Sequence, residues 1–259
     1  MSGAPFSFAR MLATRDKIRL HGFNNLTKAV SFNLYAFFLA RSESERRVCA
    51  AAIDEKFNAN RITKVLRRVA EIIDADVLSV SAQDYEPHGA SALLLMGERC
   101  GHVSVGAHLT KSHICAHTYP DWTDPKGICS FRIDIDVATC GAIVPLRALD
   151  FMLQSFDNDV IVVDYVVRGS TRDADGRRVY LDHSLRSIQD FIDPQILSSY
   201  HCEDLILQHQ NIWRTKMRRD QLDAKRYFPE GVDPYTAVNR SAFEDLRREM
   251  AGIFHGWCT

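Results

Sequence analysis

Four residues that could carry out acyl chemistry lie within thirty positions of one another: Ser112, His113, His117 and Cys140. A serine hydroxyl becomes nucleophilic when a neighbouring base takes its proton, and histidine is a common base in such pairs. A cysteine at a strand end is more often a small buried hydrophobic group than a reactive one. These residue types indicate attack by Ser112 on a carbonyl carbon, and they leave the part played by Cys140 open.

Segments of strand character carry these residues. Residues 131–139 are the clearest example, because apolar and polar side chains alternate along them. This alternation places Cys140 on the polar face of the strand, pointing away from the apolar side. Further strands are predicted at residues 77–81, 91–96, 112–118 and 160–167, and helices at residues 45–59, at residues 61–75 and from Pro145. Strands mixed with helices predict an α+β fold, a two-layer sandwich of helices on a mixed or antiparallel sheet.

The chain after residue 170 has a different character. Residues 173–176 are typical of a hairpin turn. The remainder, including a basic run at 214–219, is predicted to be mostly helical, and Ser241 opens a capping box for the last helix. We therefore divide the chain into a disordered N-terminal extension (1–16), a core (17–170) and a C-terminal extension packed on the core (171–259).

Composition excludes several classes of protein. Hydrophobic residues make up 46% and charged residues 25% of the 259 residues, and the net charge is −1. This balance predicts no nucleic-acid partner and no acidic-membrane partner, and no apolar run is long enough to span a bilayer. Seven cysteines without paired C-x-x-C spacing predict reduced thiols in a cytoplasmic protein rather than disulfides or a structural zinc site.

Two motifs carry a family resemblance: KSHICAHTYP at residues 111–120 and DVATCG at residues 136–141. Together they resemble the pyruvoyl-dependent S-adenosylmethionine decarboxylases, in the long form that bacteria make as a proenzyme. The resemblance runs from about residue 20 to the C-terminus and thins after about residue 228. Further matching segments lie at residues 21–27, 58–61, 83–87, 164–169 and 171–192. Such a series of co-linear segments is more specific than one short motif.

The resemblance implies self-cleavage between Lys111 and Ser112. The Ser112 hydroxyl attacks the Lys111 carbonyl carbon, the acyl group moves from nitrogen to oxygen, and a base removes the serine α-proton. The family places this base, the proton acceptor of self-processing, at His117. Elimination of the Lys111 carboxylate, followed by hydrolysis with loss of ammonia, leaves a pyruvoyl group at position 112.

The pyruvoyl group implies decarboxylation of S-adenosyl-L-methionine to S-adenosylmethioninamine, the aminopropyl donor for spermidine biosynthesis. Its ketone forms a Schiff base with the substrate amine and accepts electrons as carbon dioxide leaves, the role pyridoxal phosphate has in other enzymes. The family assigns the return of a proton to Cys140. A thiol suits this task, because with a reference pKa of about 8.5 it is mostly protonated at neutral pH.

Three further residues are implied to support substrate binding or processing. Ser91 matches a serine that forms hydrogen bonds during self-cleavage, Tyr85 matches an aromatic that stacks on adenine, and His113 follows the cleavage site directly. Asp121 stands where the family usually has glutamate, and we assign it no role. Activation by Mg²⁺ occurs in parts of the family, but no residue in this sequence predicts where the ion would bind.

The predicted strand at 112–118 raises a geometric difficulty. In a regular strand His117 faces the side opposite Ser112, because five residues separate them. Direct proton abstraction by His117 therefore predicts a bulge or bend near residues 112–115.

The resemblance also implies an assembly and leaves alternatives. Family members pair through their sheets, and bacterial forms of this length assemble as a hetero-octamer of four α and four β chains. One alternative function is a pyruvoyl-dependent arginine or ornithine decarboxylase of the same fold, and another is a regulatory homologue that does not process itself. A cysteine hydrolase using Cys140 and His117 would leave the Lys111-Ser112 match unexplained.

Overall fold

One antiparallel sheet of eight strands forms the centre of the computed structural model, which describes residues 25–98, 112–141 and 143–256. The strands of this sheet are β1 (Thr27–Leu39), β2 (Ala75–Asp84), β3 (Ala90–Glu98), β4 (Ser112–Asp121), β5 (Ile128–Cys140), β6 (Val160–Arg168), β9 (Tyr200–Leu207) and β10 (Ile212–Arg219). Their spatial order is β2-β3-β4-β5-β1-β6-β10-β9. A separate hairpin consists of β7 (Thr171–Arg172) and β8 (Arg178–Val179).

Helices cover one face of the sheet. The helices are α1 (Glu43–Phe57), α2 (Ala59–Ile72), α3 (Leu149–Ser155), α4 (Pro194–Leu197) and α5 (Ala237–His255). Ser42 and Glu45 form a capping box that begins α1, and Asn58 caps α2 directly after α1 ends. The apolar sides of α1, α2 and α3 pack with alternate residues of the strands into the main core. None of the five α-helices that the structure describes has the length and apolar character needed to cross a membrane.

The described residues cover the second face of the sheet only in part. Helix α5 packs over one end of it, where Phe37, Leu39 and Val160 contact Leu246 and Phe254. The rest of this side bears exposed and half-buried residues, which we call the open face. Its members include Ser31, Asn33, Ser91, Leu93, Leu95, His113, Cys115, His117, Tyr119, Arg132, Asp134, Asp136 and Cys140.

The predicted α+β architecture is confirmed, and each predicted strand lies within an observed one. The prediction of a mostly helical C-terminal extension is wrong, because β9 and β10 continue the main sheet beyond β6. In β10, buried Trp213 and Met217 alternate with half-buried basic residues, a period of two that the high charge of this segment hid. The last helix also begins at Ala237, capped by Thr236, rather than at Ser241.

Candidate active site

Strand β4 presents its side chains alternately to the two faces of the sheet. Ser112 is completely buried, at 0% exposure, on the helix-covered side. His113 is half-buried and His117 is exposed, both on the open face. The first residue of the strand and the two histidines therefore belong to different surfaces.

Ser112 and Cys140 meet at one end of the sheet. The Cys140 backbone N–H donates a hydrogen bond of 3.2 Å to the Ser112 Oγ. Cys140 is the last residue of β5 and lies opposite Thr27 of β1. Lys111, the residue before Ser112, lies outside the described residues. Together with His113 on the open face, Ser112 and Cys140 form what we call the cleavage group.

The chain turns sharply just after Cys140. Gly141 has a φ of +65°, a backbone conformation that glycine adopts without the steric cost that a side chain brings. Its N–H donates to the Leu26 carbonyl oxygen at 3.1 Å. The end of β5 is thus held to the start of β1, which keeps Cys140 beside Ser112. The alternation of β5 puts Cys140 on the same side as Asp134 and Asp136, as the sequence predicts.

A second group of predicted residues lies farther along the sheet. His117 of β4 is directly opposite Ser91 of β3. The Ser91 Oγ is 2.6 Å from the hydroxyl of Tyr85, the first residue of the turn between β2 and β3. We call Tyr85, Ser91 and His117 the processing group. On its other side His117 pairs with Asp134 of β5.

The two groups of one chain are well separated. β4 pairs in regular register with β3 from Ser112 to His117 and with β5 from His113 to Asp121, so the bulge or bend predicted near residues 112–115 is wrong. Among the described strands, a register shift lies instead in β2, between Val77 and Ser79. At about 3.4 Å per residue, His117 lies about 17 Å along the strand from Ser112. Within one chain, His117 therefore does not reach the Ser112 α-proton.

Comparisons with known proteins agree with the sequence motifs. A family model described as S-adenosylmethionine decarboxylase matches residues 49–169, a segment that contains both groups. A protein from Clostridium beijerinckii named S-adenosylmethionine decarboxylase proenzyme is 42% identical, over 95% of this chain and 98% of its own length. A protein of the same name from Stenotrophomonas maltophilia is 44% identical, again over 95% and 98%.

The chain belongs to the S-adenosylmethionine decarboxylase family.

Asp121, to which the sequence analysis assigned no role, is committed to a local turn. Its Oδ1 accepts hydrogen bonds from the Thr123 N–H at 2.9 Å and from the Thr123 hydroxyl at 2.7 Å. These two bonds lower the pKa of the Asp121 carboxyl. The shorter aspartate side chain suits this contact two residues away, and the turn ends β4 beyond the processing group.

The open face of this decarboxylase family member carries two carboxylates, Asp134 and Asp136. The sequence analysis did not identify the residues to which they are hydrogen-bonded. Asp136 lies opposite Cys115 and accepts a 2.5 Å hydrogen bond from Ser31, and Asp134 accepts one of 2.6 Å from Asn33. Burial and the Asp136 carboxylate raise the pKa of the Cys115 thiol. The alternation of residues 131–139 had marked both carboxylates as one polar face. Their partners on β1 could not be identified, because that strand was not predicted.

A second feature missed from sequence is a charged cluster inside the protein. Lys28 is buried and paired with Asp182, 154 residues later in the chain. The available signal was a lysine in phase with the apolar residues Val30, Phe32 and Leu34 of β1.

The described residues offer no evident metal site. Within residues 25–98, 112–141 and 143–256, no group of three or more histidine, cysteine, aspartate or glutamate side chains is placed to hold a metal ion.

Proposed function

We propose that this chain cleaves itself between Lys111 and Ser112 and that the mature protein decarboxylates S-adenosylmethionine to the aminopropyl donor used for spermidine. The observation that carries the proposal is the contact between Ser112 and Cys140 at the start of β4. It joins the two residues that the family uses at different stages, the precursor of the catalytic group and the proton donor. The family relationship supports the choice of substrate.

Self-cleavage uses atoms that the chain itself supplies. The Ser112 Oγ attacks the Lys111 carbonyl carbon, the C–N bond breaks, and an ester to the serine oxygen replaces the amide. A base removes the Ser112 α-proton and the Lys111 carboxylate leaves. Water then replaces the nitrogen, which departs as ammonia, and a ketone remains at position 112. The product is a small chain of residues 1–111 and a large chain of residues 112–259.

The surroundings of Ser112 suit the resulting pyruvoyl group. Such a group supplies a ketone, conjugated to an amide carbonyl, that accepts the electron pair released with carbon dioxide. Cys140 adjoins this position through its backbone and carries its thiol on the open face. In our proposal the thiol delivers a proton to the substrate α-carbon. His113 lines the same end of the site, and Tyr85 offers its ring to the adenine.

The regular geometry of β4 supports a role for a second copy of the chain. A two-fold axis parallel to the open face would place two such faces against each other, so that each protomer supplies residues to the site of the other. We propose that His117 of one protomer, with Ser91 beside it, acts on Ser112 of the other. The exposed Leu93 and Leu95 next to the processing group would be buried in such a pair. Two pairs would give the four small and four large chains expected from the family.

The described cysteines support a reducing, cytoplasmic setting for the protein. Cys49, Cys115, Cys129, Cys140 and Cys202 are all free thiols, as intracellular cysteines usually are. An activating Mg²⁺ has no candidate site among residues 25–98, 112–141 and 143–256.

The proposed function predicts two polypeptides and one substrate. Intact-mass measurement of the purified protein is expected to give chains 1–111 and 112–259, with phenylhydrazine adding to the large chain and abolishing turnover. Carbon dioxide is expected from S-adenosylmethionine and not from arginine or ornithine. A single persistent 259-residue species would indicate a regulatory homologue, and release from arginine or ornithine alone would indicate the alternative decarboxylase.

A Cys140→Ala variant is expected to cleave normally but to turn over slowly. Removal of a proton donor typically costs about 10²–10⁴-fold in rate, so kcat should fall by that amount. If the proton goes to the former ketone carbon instead, the C=N bond shifts to the substrate carbon, and water then releases the substrate portion as an aldehyde. The substrate nitrogen stays on the large chain as an N-terminal alanine, which ends catalysis. Peptide mass spectrometry should therefore find more N-terminal alanine. Cys115→Ala, a thiol on the same face, is the control expected to keep its activity. Full steady-state activity in Cys140→Ala would contradict the assignment.

A further inference from the structure

A buried charged cluster joins β1 to the C-terminal part of the chain. Lys28 and Asp182 are both 0% exposed, and the Lys28 Nζ lies 2.7 Å from the Asp182 Oδ2. The other Asp182 oxygen is 2.7 Å from the His183 Nδ1, and the His183 Nε2 is 3.3 Å from the Tyr165 hydroxyl. The His183 ring thus bridges the Asp182 carboxylate and the Tyr165 hydroxyl. We call these four residues the β1 clamp.

The clamp is electrically well matched. Burial alone would raise the pKa of Asp182, but the hydrogen bond from His183 and the Lys28 ammonium outweigh burial and lower that pKa to about 2. Asp182 is therefore ionised at neutral pH. Taking two charges out of water is costly, and well-packed apolar residues often stabilise a protein as well or better. The Lys28–Asp182 pair is therefore weak evidence for a contribution to folding stability, and it points to a role in positioning other residues.

The clamp lies in line with the cleavage group. Lys28 is paired with Thr139 of β5, whose Oγ1 donates to the Lys28 carbonyl oxygen at 3.2 Å. The next residue, Cys140, is paired with Thr27 and contacts the Ser112 Oγ through its N–H. The position of Lys28 in β1 therefore sets the position of the backbone that carries Cys140.

We propose that the β1 clamp positions Cys140 for proton transfer in the mature protein, with Lys28 and Asp182 as positioning residues that do not touch the substrate. This inference rests on the proposed function. Cleavage after residue 111 would leave Lys28 on the small chain and Asp182 on the large one. The clamp would then hold the two chains in register at the point where the thiol must meet the substrate α-carbon.

The test replaces the charges by apolar groups, in the double variant Lys28→Met/Asp182→Leu. It is expected to fold and to cleave between residues 111 and 112. Because a displacement of about 1 Å in a reacting group can cost up to about 10²-fold in rate, we expect kcat to fall about tenfold to a hundredfold. The KM should stay within about twofold, since substrate contacts remain. The fraction of large chains ending in alanine should rise, as misplaced protons become more frequent.

A readout independent of turnover is the reactivity of Cys140. In the cleaved double variant, iodoacetamide is expected to alkylate Cys140 severalfold faster than in the wild type, because the end of β5 is held less firmly. The modified peptide distinguishes Cys140 from Cys115. If the double variant does not fold, Asp182→Glu replaces it, because this change keeps the charge and moves it by one methylene. We expect a smaller fall in kcat, a smaller rise in alanine fraction and a smaller increase in Cys140 alkylation.

The matched control is Asp159→Asn, a buried carboxylate at the other end of β1. Asp159 is 1% exposed and accepts 3.0 Å hydrogen bonds from the Phe37 N–H and the Tyr227 hydroxyl. This variant is expected to lose stability without any change in alanine fraction or Cys140 alkylation. If a cleaved clamp variant keeps the wild-type kcat, alanine fraction and rate of Cys140 alkylation, the positioning role of the clamp is wrong, while the proposed function still stands. A wild-type protein that never cleaves would overturn the proposed function instead.

Discussion

A Ser112→Ala variant is expected to remain a single chain of 259 residues and to release no carbon dioxide from S-adenosylmethionine. The substitution removes the only atom that, in our proposal, can attack the Lys111 carbonyl carbon, so neither cleavage nor formation of the ketone can begin. Intact-mass measurement and a carbon dioxide assay on the same preparation check both losses.

The loss in Ser112→Ala would be chemical rather than structural. The variant gives up the hydrogen bond that the Ser112 Oγ accepts from Cys140, and a neutral hydrogen bond contributes about 1 kcal/mol to folding. The fold should therefore persist, with a thermal midpoint a few degrees lower at most. Ser130→Ala, the same change at a half-buried position of β5, is the control expected to cleave and turn over normally. A Ser112→Ala preparation that separates into two chains would end the proposal.

The parts of the site that lie on one strand could be predicted from the sequence. The alternation of residues 131–139 correctly placed Cys140 on the polar face of β5, because a period of two fixes which side chains share a face. The same rule, applied to residues 112–118, correctly put Ser112 and His117 on opposite faces. The predicted bulge was an addition, required only if both residues act within one chain, and the register of β4 contradicts it.

The parts that depend on pairing between distant segments could not be predicted. β1 separates β5 from β6 and carries Lys28, yet the sequence analysis placed no strand there. The contact between Lys28 and Asp182 spans 154 residues, and the pairing of Ser91 with His117 depends on a register that hydrophobic pattern alone does not determine. The alternation of apolar and polar residues shows on which face of the sheet a side chain lies. The residues that it contacts depend on which strand is its neighbour and in which register.

The position of β1 also has a consequence for the mature protein. If the chain cleaves as proposed, β1, β2 and β3 belong to the small chain and all the other strands to the large one. β1 is paired along its whole length with β5 and, for residues 27–35, with β6. The small chain would thus be held by hydrogen bonds on both sides of one strand, with the Lys28–Asp182 pair buried beside it. Cleavage would change one peptide bond and leave the sheet intact.

Self-cleavage is expected to be restored when two inactive variants share one assembly. Ser112→Ala keeps the histidine but has no nucleophile, whereas His117→Ala keeps the nucleophile but has no base. If His117 acts across the two open faces, a His117→Ala chain paired with a Ser112→Ala chain receives the base it lacks and is cleaved. When differently tagged chains are made in equal amounts, random pairing puts about half of the pairs in the mixed form.

Isolation of the mixed pairs through both tags, followed by intact-mass measurement, makes the result nearly all-or-none. The His117→Ala chains in these pairs should appear as two fragments, and the Ser112→Ala chains should stay whole. Pairing His117→Ala with the double variant Ser112→Ala/His117→Ala removes the base from both chains and should leave everything uncleaved. Uncleaved His117→Ala chains in the first mixture would contradict action between protomers. Complete cleavage of His117→Ala on its own would show that His117 is not the base in either chain. The regular strand already places His117 about 17 Å from Ser112 of its own chain.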